Sequence, residues 1–187
     1  MKRIVLASKS PRRRELFSLI TENFISVEAD IDETKYRALK AEEQVISLAE
    51  DKCLYTANLY PDCVVIGCDT LVELNDEAMG KPKDREDAFR MVKALSGNTH
   101  TVYTGVCINF IDEIVRFYVK TEVTFTTMSE EEVAEYVSTG ESDDKAGAYG
   151  MQGKASRYIT GIKGDYFNVI GLPVSMIYMQ LRKHNIL

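Results

Sequence analysis

Two patterns of apolar residues take turns along the chain. Short unbroken runs mark strands, and residues recurring every three or four positions mark helix faces. Arg3 to Ala7 (RIVLA) reads as a short strand. Ser8-Lys9-Ser10-Pro11 follows, and then Leu16, Phe17, Leu19 and Ile20 recur at helical spacing. Ser10 is suited to N-cap that helix, because its hydroxyl accepts from an N–H with no helical partner. Pro11 is suited to open it, because it has no N–H to leave unpaired. Val45, Leu48, Ala49, Cys53 and Ala57 predict a second helix over about 40–59. Cys63 to Gly67 (CVVIG) is a continuous apolar run, expected of a strand covered on both faces and ending before Gly67-Cys68-Asp69-Thr70.

Asp84 N-caps a predicted helix over 84–95, with Phe89, Val92 and Leu95 on one face and Ser96-Gly97-Asn98 closing it. Strands follow near 101–110 and 115–127, with a hairpin turn expected around Asp112-Glu113. Ser129-Glu130-Glu131-Glu132 has the form of a capping box and opens a helix through about Ser138. Residues 140–168 are rich in Gly, Tyr and Asp and read as loops with short strands. Gly171-Leu172-Pro173 introduces a last amphipathic helix to about Lys183. Alternating strands and helices predict an α/β protein, and the long 101–127 pair makes its sheet mixed rather than purely parallel. No repeat or linker interrupts the pattern, so residues 1–187 are read as a single domain.

Composition narrows the function. The chain has 187 residues, 45% of them apolar and 28% charged, as in ordinary globular proteins. Its net charge of −6 conceals an asymmetry. Lys2, Arg3, Lys9, Arg12, Arg13 and Arg14 stand among the first fourteen residues with no acid, which leaves −12 on the rest. A basic cluster on an acidic protein suits a small polyanion and argues against nucleic acid, which would meet a repelling surface. The longest apolar runs, such as Ile4 to Ala7, fall far short of the roughly 20 residues of a membrane span. The opening MKRIVLASKSPRRR is too short in apolar residues for a secretory signal, so a cytoplasmic protein is expected. Cys53, Cys63, Cys68 and Cys107 form no C-x-x-C pair and have no histidine at ligand spacing, so they read as free thiols, not a zinc site.

Five segments carry candidate chemistry. Ser8-Lys9-Ser10-Pro11-Arg12-Arg13 opens a predicted helix, where unpaired N–H groups and the dipole favour an anion. Its hydroxyls and guanidiniums add hydrogen bonds and charge for a phosphate. The same residues also make an ordinary capped helix with solvated arginines. Glu28-Ala29-Asp30-Ile31-Asp32-Glu33 is either a solvated acidic loop or a source of oxygen ligands for magnesium or manganese. Asp69, after the apolar run, stands where open α/β sheets place reactive groups; it also fits the start of a turn. Lys52 and Lys81 can pair with phosphate, and each also reads as a solvated surface lysine. In Asp144 to Gly153 (DKAGAYGMQG), the glycines imply positive φ or close backbone approach, and Gln152 can donate to and accept from a base edge. Tyr149 fits a stacking platform or the core.

Taken in order, LASKSPRRREL (6–16), Asp32-Glu33, SLAEDK (47–52), GCDT (67–70), GKP (80–82), SGNTH…YTGV (96–106), DKAGAYGMQG (144–153) and NVIGLP (168–173) resemble the Maf family of nucleoside triphosphate pyrophosphatases. The resemblance covers most of the chain. It implies a fold related to inosine triphosphate pyrophosphatases: a curved mixed sheet, flanking helices and two lobes around a cleft. It implies hydrolysis of a nucleoside triphosphate to the monophosphate and pyrophosphate with a divalent metal, and a homodimer. The family's catalytic aspartate maps onto Asp69, and its phosphate-side residues map onto Ser8, Arg13, Glu33, Lys52 and Lys81. The metal falls to Glu33 and Asp69. Three specificity positions read Arg12, Thr70 and Gln152, a combination that resembles the branch acting on dTTP and UTP. Cys53 and Cys68 stand where the family usually has alanine.

On that resemblance, the basic groups and the helix tip hold the triphosphate while Asp69 receives a proton from the water attacking the α-phosphorus. Two other readings accompany it: a pyrophosphatase for modified nucleotides, and a septum-formation or cell-division regulator that acts by binding.

Overall fold

A computed structural model describes residues 3–187, so Lys2 of the basic cluster lies outside it. β1 (Ile4–Ala7) is buried at all of its positions and is flanked on both sides. It pairs in parallel with β2 (Phe24–Val27) and with β3 (Val64–Leu74), in the register Ile4↔Val64 through Ala7↔Gly67. β4 (Glu77–Met79) returns antiparallel on β3. The hydrogen-bonded order is completed by β5 (Thr99–Asn109), β6 (Ile114–Phe125) and β7 (Ile159–Lys163): β2-β1-β3-β5-β6-β7, with β4 on β3. β6 and β7 are antiparallel, so the sheet is mixed, as the alternation predicts.

Six α-helices accompany these strands among the described residues: α1 (Pro11–Ser18), α2 (Ala41–Leu59), α3 (Arg85–Leu95), α4 (Glu130–Ser138), α5 (Tyr166–Ile170) and α6 (Val174–Lys183). Their starts follow local chemistry. Ser10 accepts from the Arg13 N–H at 3.4 Å, and Pro11 is the first helical residue. Asp84 accepts from the Asp87 N–H at 2.8 Å. Ser129 and Glu132 complete a reciprocal capping box. α1 stops earlier than its apolar spacing predicts, at Ser18, which leaves Leu19 outside the helix and exposed. No helix among the described residues is long and apolar enough to cross a membrane.

Two strands depart from expectation. β3 does not stop at Gly67 but continues to Leu74, so Asp69 and Thr70 lie within a strand rather than after one. The buried run breaks at Asp69-Thr70, where β1 has ended, yet Leu71 and Val72 are buried again and the strand gains β4 as a partner. The link is a tight turn with Asn75 and Asp76 at φ 53° and 63°, as a two-residue hairpin with the matching twist requires. β2 escapes the hydrophobic pattern because all four of its residues keep some exposure.

The chain forms two compact units. The first takes residues 1–69, 104–119 and 171–187; the second takes 70–103 and 120–170. The chain changes unit within β3, β5 and β6 and after α5, never in a linker, which is why the sequence carries no boundary signal. The first unit has a core of Val5, Ala7, Ala49, Cys53, Val65 and Cys107. There α2 lies directly on two strand glycines: a Cβ at Gly67 would come within 2.2 Å of the Ala49 carbonyl oxygen, and one at Gly105 within 2.3 Å of that of Val45. The second unit packs Met91, Val92 and Leu95 of α3 with Val133, Tyr136 and Tyr149.

Candidate active site

In the first unit, β1 and β3 leave their shared ladder together. Ala7 leads into Ser8, and its register partner Gly67 leads into Cys68 and Asp69. Ser8 is buried; its hydroxyl accepts from the Ser10 N–H at 3.1 Å, and its carbonyl accepts from the Ser26 hydroxyl at 2.6 Å. These bonds fix the loop at the foot of α1. From α1, Arg13 donates through Nε to the Gly171 carbonyl at 2.8 Å and through Nη1 to the Cys68 carbonyl at 3.0 Å. It is therefore tied to the backbone one residue before Asp69, and is not part of a solvated arginine face.

The close seat of α2 on Gly67 carries Lys52 to the same place. Lys52 is buried, not the solvated side chain that a lone lysine suggests. Its ammonium lies 2.7 Å from Asp69 Oδ1 and 2.7 Å from Glu33 Oε1. The side chains of Lys52 and Asp69 are 10% and 14% exposed, whereas Glu33 is 53% exposed, so this ion pair is sheltered on one side and open on the other. A pair this far out of water needs its partners: removing the ammonium would leave two carboxylates facing each other.

Glu33 is presented by an ordered turn. Asp32 accepts from the Thr34 N–H at 2.9 Å and from the Thr34 hydroxyl at 2.7 Å, and these bonds hold its carboxyl below the usual carboxylate range. Next in the chain, Tyr36 and Lys35 donate to Asp51 of α2 at 3.0 and 3.2 Å, which clips the acidic segment to the helix beside Lys52. Tyr36 and Asp51 were not anticipated. Their only sequence signal is that Asp51 adjoins Lys52.

Cys68 adjoins Asp69 but takes no part in proton chemistry, because burial pushes its thiol up to about 12. Glu33 and Asp69 offer hard oxygen donors converging on one positive charge. No group of three His, Cys, Asp or Glu side chains among the described residues is placed to hold a metal. Two carboxylates suit a magnesium or manganese ion that keeps waters and takes further oxygens from a phosphate, not one caged by protein.

The second unit carries the other candidates on exposed backbone. Thr70 is half-buried in β3, and Lys81 and Gln152 are exposed. The Lys81 loop is tied to the glycine-rich segment by a bond from the Gly147 N–H to the Gly80 carbonyl at 3.0 Å. Gly147 has φ +66°, and a Cβ there would meet the Val72 side chain at 2.9 Å, so this glycine answers to both positive φ and close approach. Gln152 stands on a turn closed by Gly153 N–H to Gly150 carbonyl, 3.1 Å. Tyr149 is core: it is buried and its hydroxyl lies 2.8 Å from His100 Nε2. Thus Ser8, Arg13, Glu33, Lys52 and Asp69 share the first unit with Arg12, whereas Thr70, Lys81 and Gln152 belong to the second.

Comparison with known proteins gives the family and the fold. The family model described as "Maf-like protein" matches residues 3–184. A Bacillus cereus protein named dTTP/UTP pyrophosphatase is 42% identical over 186 residues, covering 100% of this chain and 97% of that one. One of the same name from a second Bacillus cereus strain is 44% identical, covering 100% and 92%. A third, from Bacillus anthracis, is 43% identical, covering 100% and 97%. Among solved structures, the Staphylococcus aureus Ham1 protein superposes with a TM-score of 0.54 over 96% of this chain and 98% of that one. At 15% identity that likeness shows a shared fold.

Proposed function

The chain belongs to the Maf-like protein family, and from that premise we propose that it is a nucleoside triphosphate pyrophosphatase. In this reading it hydrolyses dTTP and UTP to the monophosphate and pyrophosphate, clearing surplus nucleotides from the pool. The observation that carries the reading is the Lys52 ammonium held 2.7 Å from both Glu33 and Asp69.

Asp69 receives a proton from, or orients, the water that attacks the α-phosphorus in line. The bond from that phosphorus to its bridging oxygen breaks, and pyrophosphate departs. Arg13 keeps Asp69 in register through the Cys68 carbonyl. The tip of α1, Ser8, Arg12, Lys52 and Lys81 neutralise and hold the polyphosphate. Glu33 and Asp69 would hold a magnesium or manganese ion, which when bound supplies Lewis-acid stabilisation of phosphate oxygens. Gln152 reads the pyrimidine edge through an amide that both donates and accepts, with Thr70 and Arg12 completing the selection.

The two units act as one domain over residues 1–187. The protein works on free nucleotides in the cytoplasm, as a homodimer, without nucleic acid or membrane. The readings as a modified-nucleotide enzyme or a binding-only division regulator are set aside, since the relatives are named for turnover of dTTP and UTP.

The test is a panel of canonical and modified triphosphates with magnesium or manganese, scored separately for pyrophosphate and orthophosphate. Pyrophosphate released fastest from dTTP and UTP is expected. Orthophosphate as first product, or a purine preference, overturns the proposal.

A further inference from the structure

The turn bearing Gln152 is held at both ends by α4 and the loop that follows it. At its start, the Gly150 N–H donates to the hydroxyl of Tyr136, a buried residue of α4, at 3.3 Å. At its end, the Lys154 N–H donates to Oε2 of Glu141 at 2.8 Å. Between them Met151 is buried and Gln152 is exposed. Glu141 is itself fixed: its N–H donates to the Thr139 hydroxyl at 3.3 Å, and its carbonyl accepts from the Lys145 ammonium at 2.6 Å. The contact is close enough that a Cβ added at Gly153 would come within 2.1 Å of the same Oε2.

A carboxylate accepting a backbone N–H thirteen residues away sets the position of that backbone. The bond is charge-assisted, and so stronger than one between neutral groups. We infer that Glu141 is a positioning residue for nucleotide selection: its carboxylate fixes the turn from which Gln152 meets the base. The inference rests on the reading of Gln152 as the base-contacting residue. It assigns Glu141 no contact with substrate, so the loss should appear in discrimination between bases and not in the chemical step.

Three variants test it: Glu141→Ala, Glu141→Gln and Gly153→Ala. Gly153 has φ −104°, which any residue adopts, so its Cβ disturbs the contact with Glu141 without straining the backbone. Two readouts are taken: amide hydrogen exchange over residues 150–154, and the ratio of kcat/KM for dTTP to that for dCTP. In Glu141→Ala and Gly153→Ala, exchange should quicken and the ratio should fall about tenfold, with kcat for dTTP within about twofold of wild type. Glu141→Gln, which keeps an accepting oxygen, should retain both. Unchanged exchange and ratio in Glu141→Ala, or an equal fall in turnover for every nucleotide, overturns the inference. A wild-type protein indifferent to the base removes the substrate reading instead. The exchange experiment then decides the anchor, and unchanged exchange rejects it.

Discussion

In the first unit three charged candidate side chains are paired in place, two of them from regular elements and one from a turn. Asp69 lies on a long strand, Lys52 on a 19-residue helix seated on glycine, and Glu33 is the third partner. In the second unit Lys81 and Gln152 are exposed, and their loops are held by the backbone bond from the Gly147 N–H to the Gly80 carbonyl and by the Glu141 carboxylate accepting from the Lys154 N–H. On the proposed function, the first arrangement concentrates charge where a phosphoanhydride is to be broken. In it Lys52 and Asp69 are sheltered and paired, while Glu33 stays open to solvent. The second presents a polar edge on a braced turn, which can vary in side chain without disturbing a core. On the proposed function, reaction and selection fall to different kinds of structure, and they should fail differently.

The largest expected effect breaks the first arrangement. On the proposed mechanism Asp69→Asn removes the proton acceptor, and it should lower kcat by roughly 10²–10⁴-fold, by the same factor for every nucleotide. Gln152→Glu should instead reorder dTTP, UTP, CTP and dATP while leaving pyrophosphate as the product. Pyrophosphate release measured on both variants checks the contrast. Near wild-type turnover in a folded Asp69→Asn protein would end the role given to that residue.

Next comes the packing that places Lys52. Gly67→Ala drives a methyl into the backbone of α2, at 2.2 Å from the Ala49 carbonyl oxygen, where nothing can swing aside. A loss of about 3 kcal/mol is expected from urea denaturation. Gly147→Ala meets the Val72 side chain, its methyls and Cβ at 2.9–3.0 Å, from a φ of +66°; with side chain rather than backbone nearest it should lose less, about 2 kcal/mol.

These two glycines also mark how much was legible beforehand. Caps, turn residues and periodicity are local, so Ser10, Asp84 and the Ser129–Glu132 box could be read directly, as could the α/β class. The continuation of β3 past Asp69 could not, because it depends on one partner ending and another beginning. Lys52 read alone looks like a surface lysine. Its burial depends on Gly67 admitting the helix and on the Asp32–Tyr36 turn closing over it, contacts separated by many residues. Glu141 was silent for the same reason: a carboxylate in a polar loop carries no mark of the N–H it accepts. The family resemblance proposes groups for the site but does not say which of them are sheltered.

Acid offers a way to load the second unit. His100 is buried beside Tyr149 and Phe125, and burial holds its pKa down at about 4, against 6.5 for the free side chain. Between those values the unfolded chain binds the proton and the folded one does not. Stability is therefore full above about pH 6.5 and is lost as pH falls toward 4, by up to about 1.4 kcal/mol per pH unit. Urea midpoints measured across that window should fall, and His100→Gln should flatten the fall.

The smallest effect separates stability from activity by comparing two helix caps. Ser129 and Glu132 satisfy each other's N–H groups at 3.2 and 2.8 Å, so Ser129→Ala should cost about 1 kcal/mol. Ser10 makes a single, longer cap bond of 3.4 Å and should cost about half as much. The order reverses for turnover. Ser10 also sets the loop in which its own N–H binds the Ser8 hydroxyl, at the helix tip assigned to phosphate, whereas α4's first turn carries no candidate site residue. Ser10→Ala should therefore raise KM for the nucleotide despite its slight effect on the urea midpoint, and Ser129→Ala should shift the midpoint alone. Equal KM values for the two variants would show that the helix tip does not touch the polyphosphate.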